Sequence, residues 1–172
     1  MNPDNEHQNI TDEYLRHNVE YAKNFTDKFL LPPKQHIAIV ACMDSRLDIY
    51  AMLGLHPGDA HLIRNAGGVV TDDVMRSLVI SQRLLGTKEI VLIHHTDCGM
   101  LTFTDDSFAA KLEAETGSTP AYPFHAFPDL DEDVRRGIER IENDPHILYH
   151  RVRGFTFDMN TGKLNEVRPH RT

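Results

Sequence analysis

Ile37-Ala38-Ile39-Val40-Ala41-Cys42, and further along Ile90-Val91-Leu92-Ile93 running into His94-His95-Thr96-Asp97-Cys98-Gly99, decide the fold. Each begins as a short continuous apolar run bounded by polar residues. Neither shows the in-out alternation of a half-solvated strand, so both read as strands buried on two faces, as in a parallel sheet. Helical signals lie between and around them. Arg46 to Leu53 reads as a short helix closed by Gly54, and His61-Leu62-Ile63 as a weaker strand ending at the turn Arg64-Asn65-Ala66-Gly67-Gly68. Thr71 caps a helix that Asp72 and Asp73 open and Gly86 stops after Leu85. Its apolar residues cover more than one stripe, which predicts burial on several sides, partly by another subunit.

Beyond Cys98 a helix is expected through Phe108 and Leu112, then a proline-rich loop from Ser118 to Pro128. Asp129 to Asn143 is an amphipathic helix with Leu130, Val134, Ile138 and Ile141 on one face and Asp129/Glu132 resembling a capping box. Gly154–Asp158 and Lys163–Val167, joined by Met159-Asn160-Thr161-Gly162, form a closing hairpin or edge strand. At the other end, residues 1–10 read as a mobile tail. A helix follows from Thr11, its N-cap, with Leu15, Val19 and Ala22 on one face, and Pro32-Pro33 ends that arm. Strands alternating with helices give an α/β fold with a mainly parallel central sheet and an antiparallel C-terminal edge strand. The organisation expected is a single domain over 1–172, with a tail and helical arm at 1–33 and the core at 34–172.

Composition excludes several classes. The chain has 172 residues, 40% hydrophobic and 26% charged, which is enough for a buried core. A net charge of −8 without any Lys/Arg cluster argues against nucleic-acid binding. No apolar run is long enough to span a bilayer, and the polar N-terminus lacks a secretory h-region, so a cytoplasmic protein is expected. Cys42 and Cys98 are the only two cysteines, too few for a disulfide scaffold.

In open α/β sheets, sites form beyond the carboxyl ends of the strands. Here those ends carry Cys42-Met43-Asp44-Ser45-Arg46 and His95-Thr96-Asp97-Cys98-Gly99. Thiolate, imidazole and carboxylate all ligate zinc, and a Cys2His set leaves a fourth position open. His95 and Cys98 are spaced to reach one ion, with Cys42 arriving from the neighbouring strand. Blander readings stand beside this one. Either cysteine could be a small buried hydrophobe, or the two could pair as a disulfide. Strand alternation turns His94 away from His95, as a hydrogen-bonded core or interface histidine. Asp97 reads as the cap of the following helix, and Asp44 with Arg46 could be a structural ion pair. The Arg64–Gly68 turn lacks the pattern of a phosphate-binding loop.

The ordered set C-x-D-S-R, R-N-A-G-G and H-x-x-C-G resembles the β-class carbonic anhydrases, in the version of their small bacterial members. It covers Ile37 to Leu101 most strongly. The resemblance implies a four-stranded parallel core extended by an antiparallel strand, an N-terminal arm embracing a second subunit, and a homodimer or homotetramer. It also implies Zn2+ held by Cys42, His95 and Cys98, with Asp44 and Arg46 as a catalytic dyad in which Asp44 alternates between the metal and the arginine. Zinc with two thiolates is formally neutral; adding Asp44 makes the site anionic, while Arg46 draws the carboxylate away by a charge-assisted contact.

Departures from the family pattern fall on the pocket. His61 stands where many relatives carry an aromatic residue, Pro33 where many carry glutamine (Gln35 follows two residues later), and there is no tryptophan. The implied activity is reversible hydration of carbon dioxide to bicarbonate. Hydrolysis of carbonyl sulfide or carbon disulfide on the same scaffold is the main rival. A non-catalytic zinc-binding regulator and a redox protein using the two cysteines stand behind it.

Overall fold

The computed structural model describes residues 10–26, 28 and 30–170. Its elements are α1 (Ile10–Lys23), β1 (Ile37–Cys42), α2 (Ile49–Leu53), β2 (Ala60–Asn65), α3 (Asp72–Arg83), β3 (Glu89–His95), α4 (Asp105–Thr116), α5 (Leu130–Glu142), β4 (Val152–Phe157) and β5 (Leu164–Val167). One sheet runs in the order β2-β1-β3-β4-β5, the first four strands parallel and β5 antiparallel to β4.

Strand alternation sorts the core into two layers. Ala38, Val40, Ile90 and Leu92 face Val74, Met75 and Leu78 of α3 and Val134, Ile138 and Ile141 of α5. On the other side Ile39, Ala41 and Ile93 pack with Leu47, Ile49, Met100 and Phe127. The chain leaves β1 for β2 on one side and returns to β3 on the other. That reversal opens a crevice beyond the ends of β1 and β3, and the pairing of Ala41 with Ile93 brings those ends level. Gly68, at φ 71°, passes against the end of β1: a Cβ there would lie 2.9 Å from the Cys42 amide nitrogen.

The helix ends differ from the sequence reading where a local bond decides them. Thr11 lies inside α1, so it is not the cap; most of the expected tail, 1–9, lies outside the described residues. The arm helix stops at Lys23, well before Pro32. α2 begins only at Ile49 because the Asp48 carboxylate accepts the Ala51 N–H at 3.0 Å. After Cys98 the chain makes a single 3-10 turn over Gly99–Leu101, and α4 starts later because Thr104 and Ser107 form a reciprocal capping box there. Thr71 does cap α3, although the helix closes at Arg83 rather than Leu85. Asp129 caps α5, but the Glu132 carboxylate turns to Arg135 and His170 instead of completing a box. Among the described residues no helix is long and apolar enough to cross a membrane.

Candidate metal centre

Cys42 closes β1, His95 closes β3, and Cys98 follows on the turn out of β3. All three side chains are buried, and the two sulfurs and one imidazole nitrogen lie within 4.8 Å of one another. Both cysteines are free thiols, so the disulfide reading falls. His94, one residue earlier, turns to the α3/α5 side of the sheet, where Nε2 bonds Asp133 Oδ2 of α5 at 2.9 Å; its ring also touches Phe127, which belongs to the other layer. It is the hydrogen-bonded core histidine that alternation requires.

His95 turns one ring nitrogen toward the cluster. Its Nδ1 lies 2.8 Å from the Thr96 carbonyl and must donate to it, which leaves the Nε2 lone pair facing the cluster. Nε2 is fully buried with no hydrogen-bond partner. Leaving such a group unmet costs about 1–3 kcal/mol. A metal ion at the cluster removes that cost, and the donor set of two sulfurs and one imidazole suits zinc rather than calcium or magnesium. The residues therefore fit the ion.

The thiols are polarised against each other. A hydrogen bond from Cys98 is the largest cause lowering the Cys42 pKa, and the backbone N–H groups of Asp44 and Gly67 add to it against the opposing cost of burial. That Cys42 sulfur in turn pushes the Cys98 pKa up, as does burial. Burial lowers the pKa of His95, but the negative Cys42 sulfur beside it outweighs this and the net shift is upward. A cation at the cluster would compete with the thiol protons.

Asp44 lies at the rim, its Oδ2 3.7 Å from His95 Nε2. Arg46 clasps it side-on: Nη2 donates to Oδ2 at 2.7 Å, Nε to Oδ1 at 2.9 Å, and the Arg46 backbone N–H to Oδ1 at 2.9 Å. These bonds hold the Asp44 carboxyl well below the usual carboxylate range. The structure therefore has the carboxylate on the arginine. Asp97 is not a helix cap. At φ 58° it meets Arg46 instead, Nη1 donating to its Oδ2 at 2.8 Å. Arg64 was also missed as a site residue: its guanidinium donates to the carbonyls of Cys42 at 2.9 Å and Asp44 at 2.7 Å, fixing the ligand-bearing loop. The only sequence signal for it was its place in R-N-A-G-G. His61 bonds Ser81 of α3 at 2.8 Å, so within this chain it does not form a wall at the cluster.

A cavity of about 300 Å³ opens onto the cluster, with Met43, Ala66, Met100, Thr102 and Phe103 among its walls. It offers an apolar approach to a polar floor.

Residues 37–123 match the family model described as carbonic anhydrase. Beta-carbonic anhydrase 1 of Mycobacterium tuberculosis is 60% identical over 93% of this chain and 99% of its own length. A crystal structure of carbonic anhydrase from Streptococcus mutans superposes with a TM-score of 0.85 at 45% identity, covering 92% of this chain and 97% of that one. A carbon disulfide hydrolase from Acidianus is more distant, 34% identical over 79% of each chain. Fold, motif order and near full-length identity agree, and the chain belongs to the β-carbonic anhydrase family.

Proposed function

We propose that this protein catalyses the reversible hydration of carbon dioxide to bicarbonate, with zinc held by Cys42, His95 and Cys98. The observation that carries the reading is the buried Cys42–His95–Cys98 cluster beside an Asp44 carboxylate drawn off onto Arg46. Zinc, when bound there, supplies Lewis acidity that makes water acidic enough to react near neutral pH. The chain's own residues do the rest. Thr96 O fixes the His95 ring through Nδ1, and Arg64 fixes the backbone on either side of Met43. Arg46 holds Asp44 beside the cluster, where the carboxylate can accept a hydrogen bond from a water molecule and orient it. Met100 and Phe103 present apolar surface to a small unpolar linear substrate and limit the water around it.

The assembly we propose is a homodimer or homotetramer, because α1 buries none of its side chains within this chain. Two free thiols in the site suit a reducing, cytoplasmic setting.

Carbon disulfide or carbonyl sulfide hydrolysis is the second reading, favoured by the Acidianus relative and served by the same apolar walls. One zinc-loaded preparation assayed in parallel decides between them. Rapid carbon dioxide hydration in stopped flow is expected. Turnover of the sulfur compounds with negligible hydration would overturn the substrate and leave the site standing.

A further inference from the structure

Arg46 is held from two sides. Asp44 uses its Nε, Nη2 and backbone N–H; Nη1, which Asp44 leaves unused, donates to Asp97 Oδ2 at 2.8 Å, and Nη2 also reaches the Asp97 carbonyl at 3.1 Å. Asp97 stands between His95 and Cys98 in the left-handed region, at φ 58°. Residues with a Cβ enter that region at a cost, which Asp and Asn bear better than most. The conformation lets the carboxylate and the carbonyl of one residue meet the same guanidinium.

We propose that Asp97 is a positioning residue for the Asp44–Arg46 pair. It pins Arg46 in the orientation that keeps Asp44 off the Cys42–His95–Cys98 cluster, and so sets how much of the time the fourth position there is open. The inference rests on the zinc site proposed above.

The argument is one of preorganisation. The Arg46 side chain is 47% exposed, and an exposed arginine samples many rotamers unless something restrains it. Asp97 removes that freedom before Asp44 is engaged. If the two carboxylates competed for the same donors, losing Asp97 would tighten the Asp44–Arg46 pair. The Asp97 carboxylate takes Nη1 while the Asp44 carboxylate takes Nε and Nη2, so the two side chains cooperate. Without its second anchor, Arg46 holds Asp44 less well, and Asp44 moves toward the cluster that its Oδ2 already approaches.

Asp97→Gly keeps the left-handed backbone free of strain and removes the carboxylate. Asp97→Asn keeps the shape and removes the charge. Both are prepared with cobalt in place of zinc and titrated with azide, a small anion that needs the open position; binding is read from the cobalt absorption spectrum. Loss of zinc to a chelator is timed on the zinc forms. The azide Kd is expected to rise about two- to fivefold in Asp97→Gly, the scale of an exposed charge pair, and less in Asp97→Asn. Zinc loss is expected to slow as Asp44 fills the fourth position. Arg46→Ala should move both readouts the same way, and adding Asp97→Gly to it should change nothing more.

Azide affinity that is unchanged or tighter in Asp97→Gly overturns the proposal. So does equal weakening in the Arg46→Ala background, because Asp97 would then act through its neighbour Cys98. Should Asp97→Gly fail to fold, Asp97→Asn carries the same test. Wild-type protein that takes up neither cobalt nor zinc would overturn the site reading itself, and this inference with it; a wild type that binds metal and azide beside variants that do not differ from it overturns this inference alone.

Discussion

Each residue of the proposed ligand set is tied to a specific backbone feature. Cys42 and His95 stand at the ends of adjacent parallel strands, and the strand period that sends His94 to Asp133 sends His95 to the cysteines. That much was legible in the sequence, because period and strand ends are local properties. Asp97 and Arg64 were not: nothing in Thr96-Asp97-Cys98 signals a left-handed φ, and Arg64 acts on carbonyls 22 and 20 positions earlier. Cys42 and Cys98 supply two of the three buried donors, so replacing either thiol by a hydroxyl leaves a set too weak to hold the ion. Cys42→Ser and Cys98→Ser should each lose zinc together with activity. Stoichiometric zinc in both variants by elemental analysis would refute the ligand assignment. Arg46→Ala tests the dyad. Asp44 stays ionised far into acid, since its Arg46 bonds lower its pKa, so a rise of activity from pH 7 to 9 cannot come from Asp44 losing a proton. With zinc bound as proposed, such a rise would come instead from hydroxide competing better for the position Asp44 would fill. Without Arg46 that carboxylate is a stronger competitor, and hydration should fall several-fold, most of all near pH 7. Wild-type rates across pH 7–9 would end the dyad mechanism.

At the scale of elements, the long periodic segments were readable and their ends were not. α3 and α5 follow their apolar faces, whereas α2 and α4 begin where Asp48 and Thr104 find backbone donors, a choice among several polar residues that the pattern alone leaves open. The packing of elements makes two glycines informative. A Cβ on Gly68 would meet the backbone of Ala41 and Cys42, which cannot yield without moving the end of β1. A Cβ on Gly154 would collide with the Val134 and Ile138 side chains of α5, in the other layer of the core. Both alanine variants should lose about 1–3 kcal/mol of stability by overpacking. Only Gly68→Ala should also weaken zinc binding, because only it displaces a ligand-bearing backbone. Urea unfolding paired with a zinc titration separates the two, and wild-type zinc affinity in Gly68→Ala would show that β1 tolerates the shift.

One chain leaves the apolar surface of α1 and of the end of α3 uncovered. α1 is 14 residues long with no buried residue, and Tyr14, Leu15, Val19 and Tyr21 are all exposed. An isolated helix of that length is marginal in water, so its persistence needs a surface that covers it. Leu84, which caps the end of α3, is 76% exposed, and Ile80 lies on the outer face of α3 beside β2 at the open edge of the sheet. The excess of apolar residues in and after α3 is legible in the sequence; the arm's role is implied only by the family resemblance, because its short apolar stripe alone does not say what covers it. In the assembly proposed above a second copy would supply the cover, since one surface serves both chains when the contact is two-fold. Sedimentation at micromolar concentration should show a species of at least twice 19.6 kDa. Leu15→Asp with Val19→Asp places two charges in the arm's apolar stripe and should shift the protein toward monomer. Leu84→Asp tests the α3 face separately. A wild-type protein that sediments only near 19.6 kDa would leave α1 without a partner and refute the dimer.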